Sequence, residues 1–264
     1  LKASLHIQAV LKNGITKLGN CYFSPPFKVM NITEDKLGKD LQLMLMSSSP
    51  GILDEDEYHM QVDVDANCSL QLHTQSYQRL FNMQKGAKQL IQVNMQEGAT
   101  FVYLPHPSVP HEHSSFVAKS RIHLSNNCKL IWGEVLTCGR KLNGEIFKFA
   151  KYHSSTEIFI DNKLVIKENL LMQPSLMNVN AIGQMEGYTH QASLICLNNE
   201  LDVNEVTDVL HDYLSQQEEM VCGVTAAPSN GFIVRLLGNK AEKLFDCLKV
   251  IVTMSATKTK LAVE

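Results

Sequence analysis

Up to about residue 200 the hydrophobicity of this chain alternates with a period of two, which constrains it to a mostly β architecture. Leu5, Ile7, Ala9 and Leu11 alternate with polar neighbours and run into the turn pair Asn13-Gly14. Met60, Val62 and Val64 repeat the pattern, as do Leu70, Leu72 and Thr74, and then Ile91, Val93 and Met95. Leu41, Leu43 and Leu45 alternate with Gln42, Met44 and Met46, so that strand is apolar on both faces and is expected to be central. Further strands are expected at 116–124, 130–136, 146–152, 157–160 and 164–167. Turn signals separate the runs at Pro25-Pro26, Pro50-Gly51, Gly86, Asn126-Asn127, Asn143-Gly144 and Asp161-Asn162. Many short alternating strands fit a sandwich, a barrel or a β-solenoid, and no strict sequence repeat selects among them.

The period changes near the C-terminus. Asp202 can cap a helix with Glu205 at the third position, and Val206, Val209, Leu210, Tyr213 and Leu214 then share a face that fades near Gln217. A second helix is expected from Asn239, with Leu244, Phe245, Leu248, Ile251 and Val252 as its apolar stripe. Residues 231–237 between them read as a buried strand. No linker or composition break interrupts the chain. The expectation is one domain over 1–264, strand-rich to 200 and helix-strand-helix over 201–256.

With 264 residues and 44% apolar content, the chain can bury a core that needs no disulfide or metal staple. A net charge of −3 without a basic run argues against nucleic-acid binding, which draws on phosphate attraction. The 7 cysteines are scattered and never spaced C-x-x-C, which fits free thiols in a reducing compartment better than a disulfide framework or a zinc site. No apolar run is long enough to span a bilayer, and residues 1–10 lack the apolar core of a signal peptide. A cytoplasmic protein without membrane contact is therefore expected.

Enzyme signatures are missing: no G-x-S-x-G, no G-x-x-x-x-G-K-[ST], no H-E-x-x-H and no G-x-G-x-x-G. The densest ligand cluster is His106, His111, Glu112 and His113. Imidazoles two apart on a strand share a face, so His111 and His113 can share a borderline cation such as nickel, with His106 nearby through the proline loop. Asp54 to Glu57 form an acidic run that reads first as a solvated turn and second as an oxygen-lined surface for a passing cation. Glu134, Arg140 and Glu145 fall in one strand-turn-strand region, where Arg140 can pair with either acid. Gly139 and Gly144 there permit positive φ or close backbone approach.

An ordered series of short motifs carries more information than any one of them. It runs Ser48-Ser49-Pro50-Gly51, Thr74-Gln75-Ser76, Gly98-Ala99, Tyr103-Leu104-Pro105-His106-Pro107, Trp132-Gly133-Glu134, Gly139-Arg140, and Gly144-Glu145-Ile146-Phe147. Asp161-Asn162 with Glu168 follows, and the run from Gly231 to Gly238 carries Arg235 near its end. In order and spacing the series resembles the UreD family of urease accessory proteins, called UreH in some bacteria. That resemblance implies a right-handed β-helix-like stack of many short strands with two helices in the C-terminal region. It implies a non-enzymatic scaffold that binds the helical protein UreF, recruits the GTPase UreG through UreF, contacts the urease apoprotein and supports nickel insertion. Nickel would be in transit, with no tightly bound cofactor. Mapped residue by residue, it makes Asp56, Thr74, Gln75 and Glu168 the lining of an internal passage. Glu55 stands where the family has the Gly of a Gly-Asp pair. Competing readings are nickel storage or sensing by the chain alone, and an enzyme built on a β-helix.

Overall fold

The computed structural model describes residues 1–35 and 38–261, with side chains of the closing helix described to Ser255. Among these residues seventeen strands, two α-helices and a short 3-10 turn at Lys141–Asn143 follow in order. The first strands are β1 (Lys2–Lys12), β2 (Ile15–Phe23), β3 (Phe27–Asn31), β4 (Asp40–Ser47), β5 (Glu57–Val64), β6 (Ser69–Thr74), β7 (Gln78–Leu80), β8 (Ala87–Met95) and β9 (Thr100–Tyr103). Then come β10 (Ser108–Pro110), β11 (Ser115–Leu124), β12 (Lys129–Thr137), β13 (Lys151–Ile160), β14 (Lys163–Met172), β15 (His190–Leu197), α1 (Val203–Ser215), β16 (Met220–Ala227), β17 (Gly231–Gly238) and α2 (Ala241–Leu261).

The strands form two mixed sheets. Sheet A runs β14-β13-β11-β8-β5-β1-β2, and sheet B runs β16-β17-β15-β12-β9-β6-β4-β3. From β4 to β13 the chain passes back and forth between the sheets, and each pass adds a strand parallel to the previous one in that sheet. In sheet A, Met60 pairs with Ile91 and Ile91 with Ser120. In sheet B, Leu41 pairs with Leu70, Leu70 with Phe101, and Phe101 with Leu130. One circuit therefore takes about thirty residues and brings chemically distant parts of the sequence into direct register. The sheet ends are antiparallel hairpins. Asn13 and Gly14 between β1 and β2, and Asp161 and Asn162 between β13 and β14, all have positive φ, which suits the two-residue turns that match strand twist.

Because successive side chains point to opposite faces, each inward-facing set enters a single core between the sheets, including Leu5, Val62, Leu70, Val93, Phe101, Ile122 and Ile158. A second core lies on the outer face of sheet B. There Ile131, Val135, Leu194 and Val234 pack beneath Val206 and Leu210 of α1 and Leu244, Leu248 and Ile251 of α2. Asp202 caps α1 by accepting the Glu205 N–H at 3.1 Å, as the capping pattern predicts. Among the described residues no helix is long and apolar enough to cross a membrane.

Two expectations need correction, and six strands are not expected from the sequence at all. β4 is one strand in from the edge of sheet B, not central; its second apolar row, Met44 and Met46, is only half-buried. The strand expected at 146–152 does not begin until Lys151, because Phe147 takes a φ of 53° and Phe149 turns into the core. β2, β3, β7, β10, β15 and β16 are not among the expected strands. β2 is largely uncovered, whereas β15 is buried on both faces beneath the helices.

Gly231 tests how tightly β17 meets β15. A Cβ there would strike the backbone carbonyl of Cys196, whereas a Cβ at Gly223 would meet nothing within 4 Å. Gly231→Ala is expected to lower stability by about 1–3 kcal/mol or more in denaturant titration, with Gly223→Ala nearly neutral. Equal stability of the two variants would contradict the pairing.

Candidate functional site

Stacking by register places polar residues one above another inside an otherwise apolar core. The inward row Leu5, Met60, Ile91 continues with Ser120, Thr156 and Glu168. The neighbouring row Tyr58, Gln89, Ala118 continues with Ser154. Toward the β14 end of the coil the core thus becomes hydroxyl- and carboxylate-bearing. Two cavities follow this seam. The upper one, about 160 Å³, is lined in part by Tyr58, Thr74, Gln75, Gln89, His106 and Glu134. The lower one, about 530 Å³, is lined in part by Glu134, Thr156, Glu168 and Arg235. Glu134, Ser154 and Thr156 are wall residues of both.

Glu134 projects inward from β12 and receives the Tyr152 hydroxyl at 2.6 Å and the Ser154 hydroxyl at 2.9 Å. Burial pushes its carboxyl pKa up, while those two hydrogen bonds pull it down and Glu168 nearby pushes it up again. Burial raises the Tyr152 and Tyr103 phenols as well, and Glu134 adds to both shifts. Also lining the upper cavity, Ser108 donates to half-buried Gln78 at 3.2 Å and Gln78 donates to buried Gln89 at 2.8 Å, so these amides are paired. At the far end Glu168 on β14 and Arg235 on β17 join the two sheets through hydrogen bonds of 2.7 and 2.9 Å from one guanidinium nitrogen.

The four residues mapped onto a passage are not equivalent. Thr74 lines the upper cavity, and its Oγ1 accepts the His106 backbone N–H at 2.9 Å and contacts His106 Nδ1 at 2.9 Å. Gln75 also lines it, tied by its backbone N–H to the Leu45 carbonyl at 3.0 Å. Glu168 lines the lower cavity. Asp56 lines neither. It is buried beside the upper cavity, accepting the Leu53 N–H at 2.8 Å and the Tyr58 hydroxyl at 3.3 Å. Around it the acidic run is a turn: Asp54 accepts the N–H groups of Lys85 and Gly86, and Glu55 pairs with Lys85 at 2.8 Å.

His111 and His113 do not share a strand face. They lie in a turn after β10, where His113 has a φ of 62°. His111 is buried with its ring 4.8 Å from Phe81, while His113 is exposed. Burial also lowers the His111 pKa. Among the described residues no three His, Cys, Asp or Glu side chains converge on a metal position. Arg140 pairs with Glu145 rather than Glu134, and that pair holds Glu145 below the usual carboxylate range. Glu145 also accepts the Glu112 N–H, so it ties the histidine turn to the 139–147 loop. Gly139, with a φ of 119°, is required there because a Cβ would meet the Glu145 and Pro110 carbonyls.

The polar seam residues Gln89, Ser120, Tyr152, Ser154 and Thr156 carry no motif of their own, and only the strand register brings them together. Glu134 gives a direct test of the seam's electrostatics. Its folded-state pKa is raised above 4.5, so above that pH the unfolded chain releases a proton that the folded chain holds. That contribution to stability is complete below about pH 4.5 and is lost as pH rises through the raised value. Glu134→Gln should match the wild type in melting temperature near pH 4 and gain on it as pH rises from there through the raised pKa. Parallel melting curves would contradict the burial of this carboxyl.

The family model described as UreD urease accessory protein matches residues 1–262. A urease accessory protein UreD of Flavobacterium johnsoniae is 45% identical over 248 residues, 94% of this chain and 90% of the relative. One from Acetivibrio thermocellus is 34% identical over 251 residues, 95% of each chain. One from Haemophilus influenzae is 33% identical over 244 residues, 88% of this chain and 90% of the relative.

Proposed function

The chain belongs to the UreD family of urease accessory proteins and so serves urease maturation; from that premise we propose that it is a non-enzymatic scaffold that conducts nickel to the urease apoprotein. Its partners are a UreF-like helical protein, the GTPase UreG held through UreF, and urease itself, all in the cytoplasm. Nickel is cargo here and not a resident cofactor. The coil of β4 to β13 is taken to be right-handed, the sense that strand twist favours for parallel crossovers.

One observation carries the conduction reading: two cavities share the wall formed by Glu134, Ser154 and Thr156 within an apolar core. The route we propose enters among Thr74 and Gln75, passes Glu134, and leaves beside Glu168, where Arg235 spans the sheets. Along it hydroxyl, amide and carboxylate oxygens face a hydrated cation. Oxygen donors spaced along a route, and not gathered into one cage, hold a divalent ion weakly enough to release it. Asp56 acts from behind Tyr58, positioning that phenol at the cavity wall and adding negative charge.

The partner reading rests on the surface. Among the described residues, long strand edges at β2 and β14 stand unpaired on the outer side, the kind of edge that proteins normally cover. The isolated chain should therefore be poorly soluble and gain solubility with its helical partner. Monodisperse protein at high concentration without a partner would count against this.

Deleting the gene in a ureolytic host and measuring nickel in the purified urease by elemental analysis tests the function. Low nickel, restored by the wild-type gene, is expected. Asp56→Asn combined with Glu168→Gln should restore less than a tenth of it. Full nickel in urease from the deletion strain would overturn the maturation role, and full rescue by the double variant would overturn the route.

A further inference from the structure

Around the lower cavity, register lays out two facing rows. In sheet B, Glu134 pairs with Ser193, Ser193 with Arg235, and Arg235 with Gly223. In sheet A, Ser120 pairs with Thr156 and Thr156 with Glu168. Residues directly opposite on neighbouring strands share a face, and Glu134, Ser193, Arg235, Thr156 and Glu168 all line the cavity. Two inter-strand steps, about 10 Å of sheet, separate Arg235 from Glu134. The rows pass from the buried core toward solvent and meet at their open ends, where Arg235 reaches across to Glu168. The Arg235 side chain is 66% exposed and that of Glu168 31%, so the pair stands at the solvent mouth of the cavity.

Three features make this pair exchangeable. One nitrogen, Nη2, serves both carboxylate oxygens at 2.7 and 2.9 Å, short of the two-nitrogen fork that a guanidinium offers a carboxylate. An exposed ion pair adds little stability, and the apolar core holds the sheets together without it. The residue beside Arg235 on edge strand β16 is Gly223, where a Cβ would meet nothing within 4 Å. Room for an incoming group therefore adjoins the guanidinium. The other acid at this mouth, Glu186, is engaged within its own loop, accepting the Gly183 N–H at 2.8 Å.

We propose that Arg235 gates the lower mouth and is the receptor for a carboxylate presented by the protein that docks there. While paired with Glu168, the guanidinium neutralises that acid and repels cations from the mouth. A carboxylate arriving over Gly223 can engage Arg235 through two parallel N–H···O bonds, a better contact than Glu168 makes. Glu168 is then a free oxygen ligand with no cation in front of it. The mouth thus attracts a divalent ion only when an acceptor is in place. The inference rests on the proposed nickel route and adds the condition under which its exit opens.

Gly223→Asp tethers the proposed occupant beside Arg235 and supplies the test, in the full chain fused to a soluble carrier. A Ser193→Cys reporter, between Glu134 and Arg235, reads cation entry. Its reaction rate with an ammonium-bearing methanethiosulfonate is divided by its rate with a neutral one of similar size, and peptide mass spectrometry separates it from the native thiols. Gly223→Asp and Arg235→Gln should each raise that ratio about ten-fold, whereas Gly223→Asn leaves it unchanged. In the Arg235→Gln background Gly223→Asp should add nothing, because it acts by taking the guanidinium. A wild-type ratio in Gly223→Asp or Arg235→Gln, an equal rise in Gly223→Asn, or an undiminished effect of Gly223→Asp without Arg235 would overturn the gate. No nickel enters this assay, which keeps it separate from the route. Full nickel in urease matured with Asp56→Asn and Glu168→Gln defeats the route and leaves the thiol ratio to judge the gate. Failed maturation there, with a ratio that no variant changes, defeats the gate alone.

Discussion

Everything in this molecule depends on the backbone register between parallel strands laid down one circuit apart. Hydrogen bonding along β5, β8, β11 and β13 fixes which side chains stack, and a slip of one residue would turn every inward side chain outward. The apolar rows hold that register, with Val62, Val93, Ile122 and Ile158 stacked in sheet A and Leu70, Phe101 and Leu130 in sheet B. Losing one such residue to alanine costs about 2–5 kcal/mol in well-packed cores. Stability spent on the polar seam must come from these rows.

The seam itself runs against the chemistry of the core. A buried carboxyl such as Glu134 is costly unless it is hydrogen-bonded or neutral. Both responses are present: Tyr152 and Ser154 donate to it, and burial raises its pKa. At the open end the cost falls, because Glu168 is partly exposed and meets Arg235. The gradient from apolar rows to hydroxyls to a solvated ion pair follows the direction in which the coil grows.

Much of the fold was legible from alternation alone. β1, β5, β6, β8 and β11 each bury one face, so their periodicity survives in the sequence. The capped helix at Asp202 and the turn at Asp161-Asn162 were equally plain, since each is a local matter of backbone geometry. The coil was not legible. Its stacked positions repeat apolar character in some rows but hold Met60, Ile91, Ser120 and Thr156 in turn in another, and no residue type recurs at a fixed interval to mark the circuit. The seam was illegible for the same reason: Glu134 read as one of two acids within reach of Arg140, and the other, Glu145, is the one that pairs. Of the residues placed by family resemblance, Thr74, Gln75 and Glu168 face cavities and Asp56 lies one side chain behind. The histidine turn misled because a positive φ at His113 breaks the strand that the spacing assumed.

The central claim is that the two cavities act as one route through Glu134, Ser154 and Thr156. A plug at their shared wall tests it most directly. Ser154→Leu fills that wall without touching a charge. The measurement is the nickel content of urease matured with a variant that still melts cooperatively and still captures its partners. Nickel at a small fraction of the wild-type level is the result this account predicts. Fully loaded urease would contradict it and move nickel delivery to the protein's outer surface.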